Sequence, residues 1–358
     1  MAAAGADAND EVEQSVTNVT LDSTSHDIAT LSSQISVLKS STNPSCLLSA
    51  VRTIWETIST NDDDELETYI VCCLSQNIIP CLISLLESSD TELCFESARI
   101  LTVFTDTSNG DHSQSLINAG VLDVLFKCMT NTTHTNVKDQ CCSVLNNISE
   151  ENVHWARLFL TPDYMKTIAS TVDCFIEVGN WDGLSKITQT VRNIFQYKLF
   201  DDFKVYIPVV SACYNILPLI GHTSYIFLFE SLLLIFANLA EHFEDVYDLL
   251  ITKEMTFGIS NLLHHHNDNI SYATFTFLGN LCAGWCPFLV EILDKLDLVT
   301  PIFGILENSS DIFHKQEVLW FFGNVISDSQ ESLQFCFDKD IYTVIIKYLT
   351  HEDHDLFM

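Results

Sequence analysis

Apolar residues in this chain recur at helical rather than strand spacing. The run Ile78-Ile79-Pro80-Cys81-Leu82-Ile83-Ser84-Leu85-Leu86 reads as an apolar helix with a proline near its first turn, where the missing N–H has no helical partner to lose. A polar turn, Glu87 to Thr91, follows, and Phe95 to Phe104 reads as a second apolar helix. The module then returns. Asn118-Ala119-Gly120-Val121-Leu122-Asp123-Val124-Leu125 repeats the helix start after about 43 residues. Asp297-Leu298-Val299-Thr300-Pro301-Ile302 and Asp340-Ile341-Tyr342-Thr343-Val344-Ile345 do so again, also about 43 apart. Before Pro44 the pattern is different. Residues 1–44 are rich in Ser, Thr and Asp, and are expected to be disordered except for a short helix over Leu31 to Leu38. The periodic region spans residues 45–350, and 351–358 form a short tail.

A helical period of 40 to 47 residues is the signature of armadillo or HEAT repeats. One such unit cannot bury its own apolar face, so neighbours stack around a continuous core. The expected fold is all-α, a right-handed armadillo-repeat superhelical solenoid of about seven repeats. A second series runs through it. Asn147, Asn193, Asn238, Asn280 and Asn324 recur at spacings of 46, 45, 42 and 44, in the contexts LNNIS, VRNIF, FANLA, LGNLC and FGNVI. Five amides at one place in successive repeats form a column. Each amide carries both a donor and an acceptor. The column can therefore grip the backbone of an extended peptide, or each Asn can bond to the turn of the next repeat.

Composition narrows the function classes. Sixteen Lys and Arg face 48 Asp and Glu, a formal charge of −32. Yet 47% of residues are hydrophobic and 23 are Phe, which excludes an acidic disordered chain. So few cations argue against a nucleic-acid partner, which needs a basic face to displace counterions. Only 11 Gly and 7 Pro punctuate the chain, as expected for helices joined by polar turns. Thirteen Cys, several of them inside apolar helical runs, read as reduced core thiols of a cytosolic or nuclear protein. No apolar signal segment opens the chain. The most membrane-like stretch, Tyr225 to Leu239, falls short of the ~20 residues needed to span and contains Glu230 and Asn238. It is expected to be a buried helix, with no membrane partner.

The run Gln316-Glu317-Val318-Leu319-Trp320-Phe321-Phe322-Gly323-Asn324-Val325 resembles the armadillo signature of importin-α, with Trp at i and Asn at i+4 on one helix face. The resemblance covers roughly residues 45–350. It implies a nuclear import adaptor, working in cytoplasm and nucleus, that binds Lys/Arg-rich nuclear localisation signals. In that family Asn side chains hold the peptide backbone, Trp rings take the stems of its cations, and carboxylates meet the charged heads. Carried over, the first binding stretch would use Asn147, Asn193 and Glu151, with Glu151 receiving a lysine. Asn238 continues the column, and the second stretch would use Asn280, Glu317, Trp320 and Asn324.

The chain also departs from that pattern. Arg99, Ser143 and Gln189 stand where Trp is expected, and Val103 stands where the first Asn is expected. Arg99 is therefore expected to repel a basic peptide, which leaves the repeat around Trp320 with the full pair. The family's basic arm, which recruits importin-β, has no counterpart, since Lys39 is the only cation in the first 44 residues. The chain stops in HEDHDLFM soon after its seventh repeat, as a shortened product would.

Other chemistry is not indicated. His264-His265-His266 reads as an inter-repeat turn, because three consecutive His share no helix face. Cys282 and Cys286 lack a second pair at zinc spacing and read as core. Asn18-Val19-Thr20 and Asn131-Thr132-Thr133 fit glycosylation sequons that a cytosolic chain leaves bare. No P-loop, dinucleotide fingerprint or nucleophile elbow occurs, so neither an enzyme nor a cofactor nor a metal is expected.

Overall fold

The computed structural model describes residues 25–60, 62–106, 110–197, 203–219, 225–242, 253–283 and 288–349. Every regular element among these residues is a helix. The chain divides into two compact units, Met1–Trp155 and Ala156–Met358. The first holds α1 (residues 25–40), α2 (Pro44–Ile58), α3 (Asp63–Ser75), α4 (Ile79–Leu86), α5 (Thr91–Thr105), α6 (Gly110–Asn118), α7 (Val121–Asn131) and α8 (Thr135–Glu151). The boundary falls within α9 (Val153–Leu158). The second unit holds α10 (Pro162–Val178), α11 (Trp181–Gln196), α12 (Ile207–Tyr214), α13 (Ile226–His242), α14 (Lys253–Ser260) and α15 (Asp268–Ala283). It continues through α16 (Leu289–Lys295), α17 (Val299–Asn308), α18 (Ile312–Asp328), α19 (Gln330–Asp338) and α20 (Ile341–Leu349).

Side chains close many of these helices at their starts. Asp62 accepts from the N–H groups of Asp64 and Glu65, Asp90 from Glu92 and Leu93, Asn180 from Gly183, and Asp311 from Phe313. Each such cap replaces a lost backbone partner and stabilises by about 1 kcal/mol. Pro44, Pro80 and Pro162 sit in first turns, where no N–H is missed.

The recurring phrase of the sequence has a backbone cause. Asn77, Gly120, Asp297 and Asp340 all have positive φ, between 50° and 82°. Each occupies the joint between two short helices: α3–α4, α6–α7, α16–α17 and α19–α20. Asn and Asp tolerate this left-handed region best among residues bearing a Cβ, and Gly has no Cβ to clash. A Cβ at Gly120 would meet no atom within 4 Å, so substitution there strains the backbone alone. Gly120→Ala is expected to lower stability by about 1–2 kcal/mol and Gly120→Asn by less, measured by urea denaturation. Equal losses for the two would remove this explanation of the joint.

The long helices carry the stacking. In the first unit α2 packs on α5 and α5 on α8; in the second α11 packs on α13, α13 on α15 and α15 on α18. Shorter helices cover their outer sides, as α4 and α7 cover α5 and α8. The seams are apolar: Ile54, Leu101, Phe104, Leu145 and Ile148 are fully buried in the first unit, and Leu232, Phe236, Phe277, Phe321 and Phe322 in the second.

Two expectations are sharpened. The segment before Pro44 is helical from residue 25, well beyond Leu31 to Leu38. Leu31, Ile35 and Leu38 are buried, and α1 is tied to α3. The Tyr69 hydroxyl donates to Asp27 (3.0 Å), the Gln76 amide to Ser32 (2.8 Å), and the Lys39 ammonium to the Gln76 carbonyl. Lys39 is thus docked rather than part of a basic arm. Helix α13, the most membrane-like segment, is largely buried, and no single described helix is long and apolar enough to cross a membrane. Every described cysteine is a free thiol. The sequon at Asn18, Cys286 and the tail with His351 and His354 lie outside the described residues.

Candidate functional site

Helices α15 and α18 bring three of the expected residues together. Asn280, Glu317 and Trp320 line one shallow depression of about 30 Å³, with Phe275, Thr276 and Gly279. Glu317, Trp320 and Asn324 are spaced three and then four residues apart, which places them on one side of α18. The Trp320 indole is 51% exposed, unusual for so large an apolar ring. Gly279 lies beside it on α15: a Cβ there would sit in ordinary van der Waals contact, 3.7 Å from Trp320 Cζ3.

The carboxylate beside the indole is held from below. The Tyr272 hydroxyl donates to Glu317 Oε2. Burial first, and then the Glu317 hydrogen bond and charge, pushes the Tyr272 hydroxyl far above its ordinary value, so it remains a donor at any physiological pH. The Tyr272 ring lies 4.0 Å, centroid to centroid, from that of His314. Tyr272 was not foreseen in the sequence. It sits 45 residues before Glu317, at a spacing close to the repeat period, and that spacing is the signal that finds it.

The Asn column has a regular internal role. Asn147 Nδ2 on α8 donates to the Thr102 carbonyl (3.5 Å) and the Thr105 hydroxyl (3.2 Å) on α5. Asn280 Nδ2 on α15 donates to the Ala237 carbonyl on α13 (2.8 Å). Thr102 and Ala237 each stand one residue before the column position of the preceding long helix, Val103 and Asn238. A mid-helix carbonyl already accepts its own helical N–H, and its second lone pair takes the amide. Asn193 is buried in α11 and Asn238 half-buried in α13. The amides thus tie long helix to long helix, rather than each bonding to a turn. Asn324 differs. Its Nδ2 is buried and has no hydrogen-bond partner. Turning this amide outward breaks no bond, whereas Asn147 and Asn280 would have to surrender one.

Glu151, at the end of α8, does not stand free. The Ser113 hydroxyl on α6 donates to Glu151 Oε1. Burial raises the Glu151 carboxyl above the usual range, against the lowering effect of that hydroxyl. Two of the three consecutive histidines have separate partners: His264 Nε2 lies 2.8 Å from the Leu296 carbonyl, and His265 Nδ1 accepts from the Asn267 N–H (3.1 Å). No group of side chains among the described residues could hold a metal ion.

No protein-family profile and no curated protein matches the chain. The fold resembles the crystal structure of an engineered protein determined by the Northeast Structural Genomics Consortium. The TM-score is 0.62 at 16% identity, over 91% of this chain and 86% of that one. At that identity the likeness shows the all-helical fold alone.

Proposed function

We propose that this chain is an armadillo-repeat binding protein that receives an extended Lys/Arg-rich segment across α15 and α18. In this reading it serves as a nuclear import adaptor for proteins carrying basic localisation signals, in cytoplasm and nucleus. The observation that carries it is the buried, unpaired Asn324 amide nitrogen, one turn from an exposed Trp320 and two turns from a fixed Glu317. A buried donor without a partner costs about 1–3 kcal/mol, and a peptide carbonyl would recover that cost. The indole face would take the stem of a Lys or Arg, and Glu317 its charged head. The charge of −32 would speed encounter with a cationic partner and make it salt-dependent. Importin-β recruitment is not part of the proposal, because Lys39 is engaged by Gln76.

The test is calorimetric titration of a basic localisation-type peptide at low and moderate salt. Binding at low salt that weakens with added salt supports the reading, and no binding at low salt ends it. The two amides should part company. Asn280→Ala is expected to lower stability by about 1 kcal/mol and leave peptide affinity nearly unchanged. Asn324→Ala is expected to leave stability unchanged or raised, while affinity falls about three- to tenfold. Parallel urea melts and titrations read both effects.

A second reading is favoured by the inward ties of Asn147 and Asn280: a scaffold for another extended segment, with no transport role. It predicts peptide partners without basic residues, whose binding is indifferent to salt.

A further inference from the structure

The first unit contains an aromatic slot that the sequence reading missed. Trp55 on α2 stands 44 residues before Arg99, and Arg99 stands four before Val103 of the Asn column. Trp55 therefore belongs to the same positional series as Trp320. The Arg99 guanidinium lies over it, with Cζ 3.3 Å from the ring centroid, and 5.5 Å from the Phe95 ring. Arg99 Nη1 is 2.7 Å from Glu96 Oε2. The other Glu96 oxygen accepts from Arg52 Nε at 3.1 Å, and the Glu96 side chain is only 7% exposed.

These are the components of a cation site: an aromatic face, a carboxylate shielded from water, and a guanidinium between them. The guest is a residue of the chain itself. We infer that α2 and α5 form a cation slot that Arg99 plugs from within, and that Arg99 is the residue restricting cationic partners to the slot at Trp320. In this reading Arg99 acts by occupancy rather than by repulsion, since its charge is already met by Glu96. The restriction to Trp320 rests on the proposed function, whereas the plugged slot rests on the α2–α5 geometry alone.

Methylguanidinium chloride is the probe. Arg99→Ala removes the plug and leaves Trp55, Phe95 and Glu96 around the vacated space. In a Trp320→Leu background, which silences the slot on α18, titration followed by tryptophan emission should then saturate at one ion per chain, with no saturable change when Arg99 is retained. Adding Trp55→Leu should weaken that binding at least about tenfold, the loss of one desolvated cation–π contact. Arg99→Lys keeps a cation over the ring and should stay closed. If Arg99→Ala does not fold, as judged by circular dichroism, Arg99→Ser, which also clears the ring and leaves a hydroxyl, takes its place. A folded variant that fails to bind the ion, or binds it equally without Trp55, overturns the inference. With a basic peptide the wild type should bind one molecule and the unplugged variant two. A wild type that binds none counts against the proposed function, while the methylguanidinium result still decides the plug.

Discussion

Trp320→Ala is expected to weaken a Lys/Arg-rich peptide about 30- to 100-fold in calorimetric titration at low salt. Central aromatic residues of an interface each account for about 2–3 kcal/mol. Trp320 is half exposed in the free protein, so removing it leaves a surface notch rather than an enclosed cavity in the α15–α18 seam. Unfolding in urea should accordingly shift by no more than about 0.5 kcal/mol. The separation matters, because a loss of binding with unchanged stability cannot be assigned to a damaged fold. Glu317→Gln keeps the shape and the Tyr272 contact but removes the charge. It should cost about tenfold in affinity and flatten the salt dependence. Retention of full affinity by both variants would rule out α18 as the receiving surface.

Phe321→Ala should do the reverse. Phe321 follows Trp320 directly but points into the seam, fully buried. Its ring lies 5.6 Å from Phe275 on α15 and 5.3 Å from Phe322. Truncating a buried phenylalanine forfeits its transfer free energy and leaves a cavity, about 3–5 kcal/mol in all. Against a typical total of about 5–15 kcal/mol this is a large share. Because each repeat contacts its neighbours, hydrogen exchange should show the loss concentrated in α15 and α18, with α2 and α5 amides little changed. Uniform loss of protection across the chain would show that the second unit does not melt separately.

The helical period was legible because two independent signals carried it. Apolar stripes marked the long helices, and a recurring helix-entry phrase marked the left-handed joints at Gly120, Asp297 and Asp340, with Asn77 directly before the first such entry at Ile78. The grouping of Asn280, Glu317 and Trp320 was likewise available from spacing, since positions one period apart fall side by side on stacked helices. Spacing does not say which way an amide turns once there. A column facing a ligand and a column binding the preceding helix have the same sequence, and the outcome depends on whether a carbonyl lone pair lies within reach. Trp55 was missed because its series was read from a Trp–Asn pair, and Ser59 stands where the Asn would be. The extent of α1 was hidden by composition: Ser and Thr dominate it, while the three buried apolar residues, Leu31, Ile35 and Leu38, are few but correctly spaced.

The amide ties have a mechanical consequence. An apolar seam between two helices presents similar ridges at every turn, so packing alone tolerates sliding by one notch. A side chain that must find one particular carbonyl does not. Asn147 on Thr102 and Asn280 on Ala237 act as detents that fix the axial offset of α8 on α5 and of α15 on α13. At α18 the corresponding amide grips nothing, and α15 is joined to that helix instead through the Tyr272 hydroxyl on Glu317 and the Cys282 thiol on the Phe321 carbonyl, the latter at 3.5 Å. The α15–α18 seam therefore lacks an amide detent, and a strand that engages the Asn324 amide would act on the helix at the point where none holds it.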